Sequence, residues 1–109
     1  MKDKEKVMRR LSNALNANDM VSARKIIEDD LQKFGKNEEY YFYLALVSDN
    51  FEEKKDFYTK AIKLNPDFLD AYINRGLVKN ELQDYEGSIE DYNRAIELDP
   101  RCSLAYNNR

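Results

Sequence analysis

Histidine is absent from the 109 residues, and cysteine occurs once, at Cys102. The first absence removes the commonest general base and metal ligand. The second excludes an internal disulfide and any cysteine-based zinc framework. Three glycines and two prolines leave little material for glycine-rich phosphate loops or for many β-turns. Long hydrophobic runs are missing too. The longest apolar stretch, Tyr40 to Val47, falls far short of the ~20 residues that a membrane-spanning helix needs. It lies behind Glu38 and Glu39, too deep in the chain for a signal peptide, and the start after Met1 alternates lysine with acids. A cytoplasmic protein without membrane contact is expected.

Charge is plentiful. Charged residues make up 36% and hydrophobic residues 42% of the chain, and mean hydropathy is −0.83. One domain is expected, burying roughly 65% of its unfolded surface. The net charge of −3 is unevenly spread: residues 1–36 carry +3 and residues 37–109 carry −6. An isoelectric point near 5.1 argues against a nucleic-acid partner. The basic N-terminal part reads as a solvated helix face.

Apolar spacing is helical nearly everywhere. Val7, Met8, Leu11, Ala14 and Leu15 recur at three and four residues. Asn18-Asp19 breaks the pattern, and Asp19 is placed to cap a second helix carrying Met20, Ala23, Ile26, Ile27, Leu31 and Phe34 up to Gly35. Asn37 opens a third, with Glu38 and Glu39 in its first turn. The run Tyr40 to Val47 would also suit a strand, but a lone strand among helices has nothing to pair with. Further helices are expected from Phe51 to Leu64, from about Asp67 to Leu82, and from Asp84 to Leu98, with a stub capped by Ser103. Six helices and a stub, joined by short loops, make an all-α array of antiparallel neighbours.

The strongest signal is an internal repeat. Laid over each other, 51–75 and 85–109 agree at ten of 25 positions, among them Tyr58/Tyr92, Ala61/Ala95, Pro66/Pro100, Tyr72/Tyr106 and Asn74/Asn108. A fixed period of this length, built on helix pairs, is the tetratricopeptide signature. The segment from Ala71 to Pro100 resembles a tetratricopeptide repeat closely. Tyr72 stands at the family's first large aromatic position, Gly76 at its small position, Tyr85 after the turn, Tyr92 in the second helix, Ala95 at the later small position and Pro100 at the close. Arg75, Lys79 and Ser88 depart from the family's leucine, tyrosine and alanine. Ser88 is still small, and Lys79 is expected to lay its stem over apolar surface.

The resemblance implies a right-handed α-solenoid of stacked antiparallel helix pairs: a degenerate pair at 4–35, a repeat at 36–68, a clear repeat at 69–102, and the start of another at 103–109. In the 36–68 unit the alignment sets Leu44-Ala45 at the Leu-Gly place, which shortens the turn by three residues, and Lys54 stands where a small residue is usual. Gly76 and Ala95 are where helices should approach most closely. Tyr58, Tyr72, Tyr85 and Tyr92 fall at packing positions. The abrupt stop after Arg109 reads as a fragment of a longer array, or as an end that docks onto another copy.

Catalytic chemistry has little to stand on. No histidine-based triad is possible, no calcium loop or phosphate loop appears, and no cofactor or metal is expected. The carboxylate pairs Asp67/Asp70 and Glu81/Asp84 lie at expected helix ends, where capping and dipole roles explain Asp67, Asp70 and Asp84. Cys102 reads as a small packing residue. What remains is binding. The resemblance implies a concave groove lined by the first helix of each pair. Its family positions fall at Asp70, Ile73, Leu77 and Asn80 in the clear repeat, near Glu39, Phe42 and Leu46 in the preceding one, and at Leu104 and Asn107 in the stub. Asn74 stands where family members often hold a peptide backbone. The family's clamp for chaperone tails needs Lys and Asn four apart in one first helix, Asn in the next, then Lys and Arg. With Asn74 central the flanking places hold Phe42, Leu46, Leu104 and Asn108, and with Asn108 central the upstream ones hold Ile73 and Leu77, so that mode is disfavoured. The expected function is a protein-interaction scaffold for a protein or peptide with aliphatic anchors. The alternatives are a self-associating repeat module and a regulatory piece of a longer protein.

Overall fold

The computed structural model describes residues 2–101. Among them are six α-helices and no strand: α1 Lys2–Asn16, α2 Met20–Asp29, α3 Glu38–Val47, α4 Phe51–Leu64, α5 Leu69–Glu81 and α6 Tyr85–Leu98. A 3-10 turn, Leu31–Phe34, follows α2. Each helix packs chiefly on the helices before and after it, giving an α-solenoid of three stacked pairs. Ser103, Leu104, Asn107, Asn108 and the expected stub helix lie outside the described residues, as does Cys102.

Helix starts follow local chemistry. The side chains of Asp19, Asn37, Asn50 and Asp84 accept from the backbone N–H groups of Ser22, Tyr40, Glu53 and Gly87 at 3.0–3.1 Å. The α5 start differs: Phe68 precedes it without a side-chain cap, so Asp67 is not a capping residue. The turn is held instead by Asn65, which accepts from the Asp67 N–H, and by the Tyr72 hydroxyl, which donates to the Pro66 carbonyl at 2.9 Å. Asp67 is exposed, 3.6 Å from the Arg94 guanidinium.

Two boundaries differ from expectation. The second helix ends at Asp29 rather than running to Gly35. Asp30 still donates its N–H to the Ile26 carbonyl as the closing residue and pairs with Arg10 of α1 at 2.8 Å; the chain then tightens into the 3-10 turn, in which Leu31 is buried. Gly35, at φ +106°, closes the 3-10 turn in a conformation other residues avoid. The second difference concerns register. α4 and α6 start one full repeat apart, at Phe51 and Tyr85, and end one full repeat apart, at Leu64 and Leu98. The ends of α3 and α5, at Val47 and Glu81, keep the same spacing. The turn of the 36–68 unit is therefore not shortened. The three residues are missing from the start of α3, because Gly35 occupies the place of Leu69 and Asn37 caps later.

Two apolar clusters form the core. One joins α1, α2 and α3 around Leu11, Ile27 and Leu44; the other joins α3 to α6 around Tyr58, Tyr72 and Tyr92. Tyr41 and Phe57 pack against both and fuse them. Tyr85, expected in the core, is 58% exposed because it opens α6 at the solvent edge. At Gly76 the Tyr92 ring comes so close that an added Cβ would lie 2.6 Å from Cε1. Ala95 is fully buried.

The observed register exposes a substitution of chemistry inside the core. Tyr41 stacks on Phe57, with ring centroids 6.3 Å apart. One repeat further on, the same two places hold Arg75 and Asp91, joined by two hydrogen bonds of 2.9 and 2.7 Å. Lys79 stands at the place of Ala45. Its ammonium is 3.2 Å from Asp91, so its stem does not simply cover apolar surface. Asp91 is 3% exposed, and Arg75 also donates to Thr59 of α4. Two cations and a fork of hydrogen bonds satisfy the buried carboxylate.

Two outcomes follow from this packing. Gly76→Leu should cost about 1–3 kcal/mol by overpacking against Tyr92, seen as a melting temperature several degrees lower. Asp91→Ala should cost about 3 kcal/mol, since it leaves the largely enclosed Arg75 and Lys79 without a counterion. The triple change Arg75→Tyr, Lys79→Ala, Asp91→Phe, which imports the residues of the preceding unit, should recover most of that loss in urea denaturation.

Candidate peptide-binding groove

A cleft of about 380 Å³ opens where α3, α4 and α5 meet. The end of α3 contributes Leu46; α4 contributes Phe51, Lys54 and Tyr58; α5 contributes Asn74, Leu77, Val78 and Glu81. Spacing explains the α5 side, because positions 74, 77, 78 and 81 share one helix face. A larger cleft of about 590 Å³ lies between α1 and α2, but its lining is dominated by Arg10, Lys25, Asp29 and Asp30. The α3–α5 cleft has the apolar walls and few polar groups that ligand sites favour.

Polar groups in the cleft are held by the ends and faces of helices. Lys54 points its ammonium at the end of α3, donating to the carbonyls of Ala45 at 2.9 Å and Leu46 at 3.3 Å. Both carbonyls lie at the negative end of a helix, that of Ala45 also accepting from the Ser48 N–H, so a cation there is favoured. The residue expected to be small is thus a C-terminal cap. Burial pulls the Lys54 pKa below the ordinary lysine value, with Asp49 opposing the shift. Below it, the Asn74 amide donates to the Tyr58 hydroxyl at 3.4 Å. Burial pushes the Tyr58 pKa up to about 12, against the smaller opposing effect of Asn74. The α3–α4 turn is pinned by the buried Ser48, whose hydroxyl donates to Glu53 at 2.6 Å, and Arg24 reaches the same carboxylate. Both bonds hold Glu53 below the usual carboxylate range.

Of the eight residues proposed from sequence, Leu46, Asn74 and Leu77 meet in this cleft. Asp70 and Asn80 are exposed elsewhere on α5, and Ile73 is 6% exposed within the core. Phe42 is a packing residue: its ring stacks on Phe68 at 4.9 Å and tilts against Tyr58 at 5.6 Å. It stands one repeat before Gly76, and meets Tyr58 as Gly76 meets Tyr92. Glu39 is half-buried and pairs with Lys4 of α1 at 3.0 Å. In the observed register Tyr43, not Leu46, matches Leu77. Burial raises the Tyr43 pKa, and the nearby charges of Glu39 and Asp70 raise it further. Sequence reasoning missed Phe51, Lys54, Tyr58, Val78 and Glu81. The helical spacing from Asn74 would have found Val78 and Glu81.

Residues 69–102, spanning α5 and α6, match the tetratricopeptide repeat family. The mitochondrial import receptor subunit TOM70 of Rattus norvegicus is 31% identical over 102 residues, covering 90% of this chain and 17% of the receptor. The UDP-N-acetylglucosamine–peptide N-acetylglucosaminyltransferase of Giardia intestinalis is 38% identical over 73 residues, 65% of this chain and 5% of the transferase. The chain therefore spans less than a fifth of the length of either relative. Among solved structures, the Arabidopsis OM64 TPR domain superposes with a TM-score of 0.86 at 21% identity, covering 98% of this chain and 91% of that one. The first TPR of Spaghetti (RPAP3), bound to the HSP90 peptide SRMEEVD, gives 0.87 at 20% identity, covering 97% and 86%. These two likenesses establish the fold.

The Tyr58 hydroxyl supplies a pH test. Its folded pKa lies above the unfolded value near 10, so its contribution is complete below pH 10 and is lost as pH rises towards 12. The urea midpoint should fall over that interval, with up to about 2 kcal/mol of the loss due to this group. Tyr58→Phe should start lower and fall less steeply; equal slopes would remove Tyr58 as the source.

Proposed function

Because this chain is a tetratricopeptide-repeat protein, we propose that it serves as a cytosolic interaction scaffold, holding an extended segment of a partner protein in the α3–α5 cleft. Tetratricopeptide repeats mediate protein–protein interaction, and two features give this chain its own selectivity. The observation that carries the reading is the cleft itself: Leu46, Phe51, Leu77 and Val78 wall a space into which Asn74 and Lys54 bring polar hydrogens. An aliphatic anchor would bury its surface there, and the amide would meet its backbone. The second feature is charge. Glu81 stands at the cleft, and Glu39 and Asp70 act together on Tyr43 further along the same row of first helices. Acids so placed favour a segment in which lysine or arginine flanks the anchor. The cytosolic setting rests on the charged composition and the single cysteine.

The chaperone-tail mode is disfavoured in the observed register as well. The places upstream of Asn74 hold Glu39 and Tyr43, where the clamp needs lysine and asparagine. A carboxylate in place of an ammonium repels an acidic tail.

A peptide array probed with the whole chain tests the proposal. Captured peptides should share an aliphatic residue flanked by basic ones, and acidic C-terminal tails should be absent. Leu77→Asp, with unchanged circular dichroism, should weaken capture by roughly 10–100-fold, the value of one buried aliphatic anchor. Glu81→Lys should reduce the basic preference selectively. Capture unaffected by both changes would move the binding surface elsewhere, and concentration-dependent mass without capture would favour self-association.

A further inference from the structure

The junction of α5 with α6 is short of one negative charge. Arg75 and Lys79 both pair with Asp91, at 2.7 and 3.2 Å, and no other carboxylate among the described residues is within ion-pair reach of either. Two cations therefore share one anion. Both are largely enclosed, with 16% and 17% of their side chains exposed. Charge taken out of water without a full counter-charge is costly. Neighbouring cations are balanced: Lys55 pairs with Glu52, and Arg94 with Asp67 and Glu97. One repeat earlier the same places hold Tyr41, Ala45 and Phe57, which carry no charge.

Hydrogen-bond donors are left over as well. A guanidinium has five N–H groups. Arg75 gives two to Asp91 and one, at 3.3 Å, to the Thr59 hydroxyl. Two remain, and Lys79 has no side-chain partner besides Asp91 among the described residues. The Thr59 hydroxyl donates to the Lys55 carbonyl at 2.8 Å, so it turns its lone pairs towards Arg75. Thr59 is half-buried, and Lys63, one turn further along the same face of α4, is exposed.

We propose that this junction binds an oxyanion of the phosphate class, which takes the remaining hydrogens of Arg75 and Lys79 and supplies the missing charge. Tetrahedral oxygens suit donors spread over a guanidinium and an ammonium. The planar fork that a carboxylate would use is already filled by Asp91. Lys63 adds to the positive field that draws the anion in. A free phosphate ion and a phosphorylated side chain of a partner present this same group. The site shares no residue with the α3–α5 cleft, so it is independent of what the cleft binds.

Inorganic phosphate is the first probe, with the whole chain melted in phosphate and in chloride at equal ionic strength. At about ten times a millimolar Kd, the melting temperature should rise by roughly 5 °C. Phosphate also stabilises proteins by exclusion from their surface, so a variant carries the decision. Lys79→Met keeps the Arg75–Asp91 pair and balances the charge. It should melt no lower than the parent in chloride and bind phosphate at least about tenfold more weakly. In the parent chain, an NMR titration should move the Arg75 Nε–H signal and the amides of Thr59, Lys79 and Asp91 along one saturating curve. O-phosphoserine binding tighter than phosphate would assign the group to a partner, and the reverse to the free ion; either supports the site. An equal phosphate response in Lys79→Met, a lower melting temperature of that variant in chloride, or NMR shifts that lie elsewhere or never saturate would each overturn it.

Discussion

Ala23, Ala45, Ala61, Ala71 and Ala95 are all completely buried, and the array depends on them. A helix pair in a solenoid has too little apolar surface to fold alone, so adjacent helices must come close enough to share one core. Small side chains at the crossings set that distance. Once the backbones are near, there is room for one large ring between them and no more. Tyr58 and Tyr92 are those rings, and the first helix adjusts to each: Phe42 tilts against the former, and Gly76 vacates its side chain for the latter. The clusters on either side of α3 are then continuous through Tyr41 and Phe57.

The cleft is a by-product of how helix ends are finished. At the end of α3, backbone carbonyls lack partners in their own helix, and Lys54 supplies them from α4. At the start of α4, Asn50 caps while Ser48 and Arg24 converge on Glu53. Lys54 lines the cleft while it holds the end of α3, and the contacts on Glu53 hold the turn beside it. A wall held in shape before a ligand arrives lowers the ordering cost of binding.

Helix existence, order and most starts were readable from sequence because they are local. Asp19, Asn37 and Asp84 cap by bonds that span three residues. What escaped is non-local. At the early end of α2, Arg10 reaches Asp30 from another helix and Leu31 is buried, neither of which neighbouring residues reveal. The true register of the 36–68 unit depends on three residues missing before α3, whereas residue matching at Leu44-Ala45 put the gap in the turn. That error carried Phe42 into the groove and left Tyr43 out. Lys54, Arg75 and Lys79 looked like departures from a family pattern. Each has a partner 8 to 16 residues away, at Ala45 and Leu46 or at Asp91. Only the packing of pairs reveals such partners.

The alternation of Tyr41–Phe57 with Arg75–Asp91 gives each junction an identity. In the first unit, where α1 ends and α2 begins 31 residues before α3 and α4 do, the matching places hold the exposed Arg10 and the buried Ile26. A chain of similar units is exposed to a particular folding error: a second helix docking on the first helix of the wrong unit, one period out of phase. With interchangeable junctions that mistake would cost almost nothing. Here a slipped dock sets Arg75 against Phe57, or Tyr41 against Asp91, and strands a charge in the core. The ion pair therefore works as a key cut for one lock, and the aromatic stack as another. Sequence divergence between repeats, which at first reads as decay from a pattern, is what lets the chain count its own units.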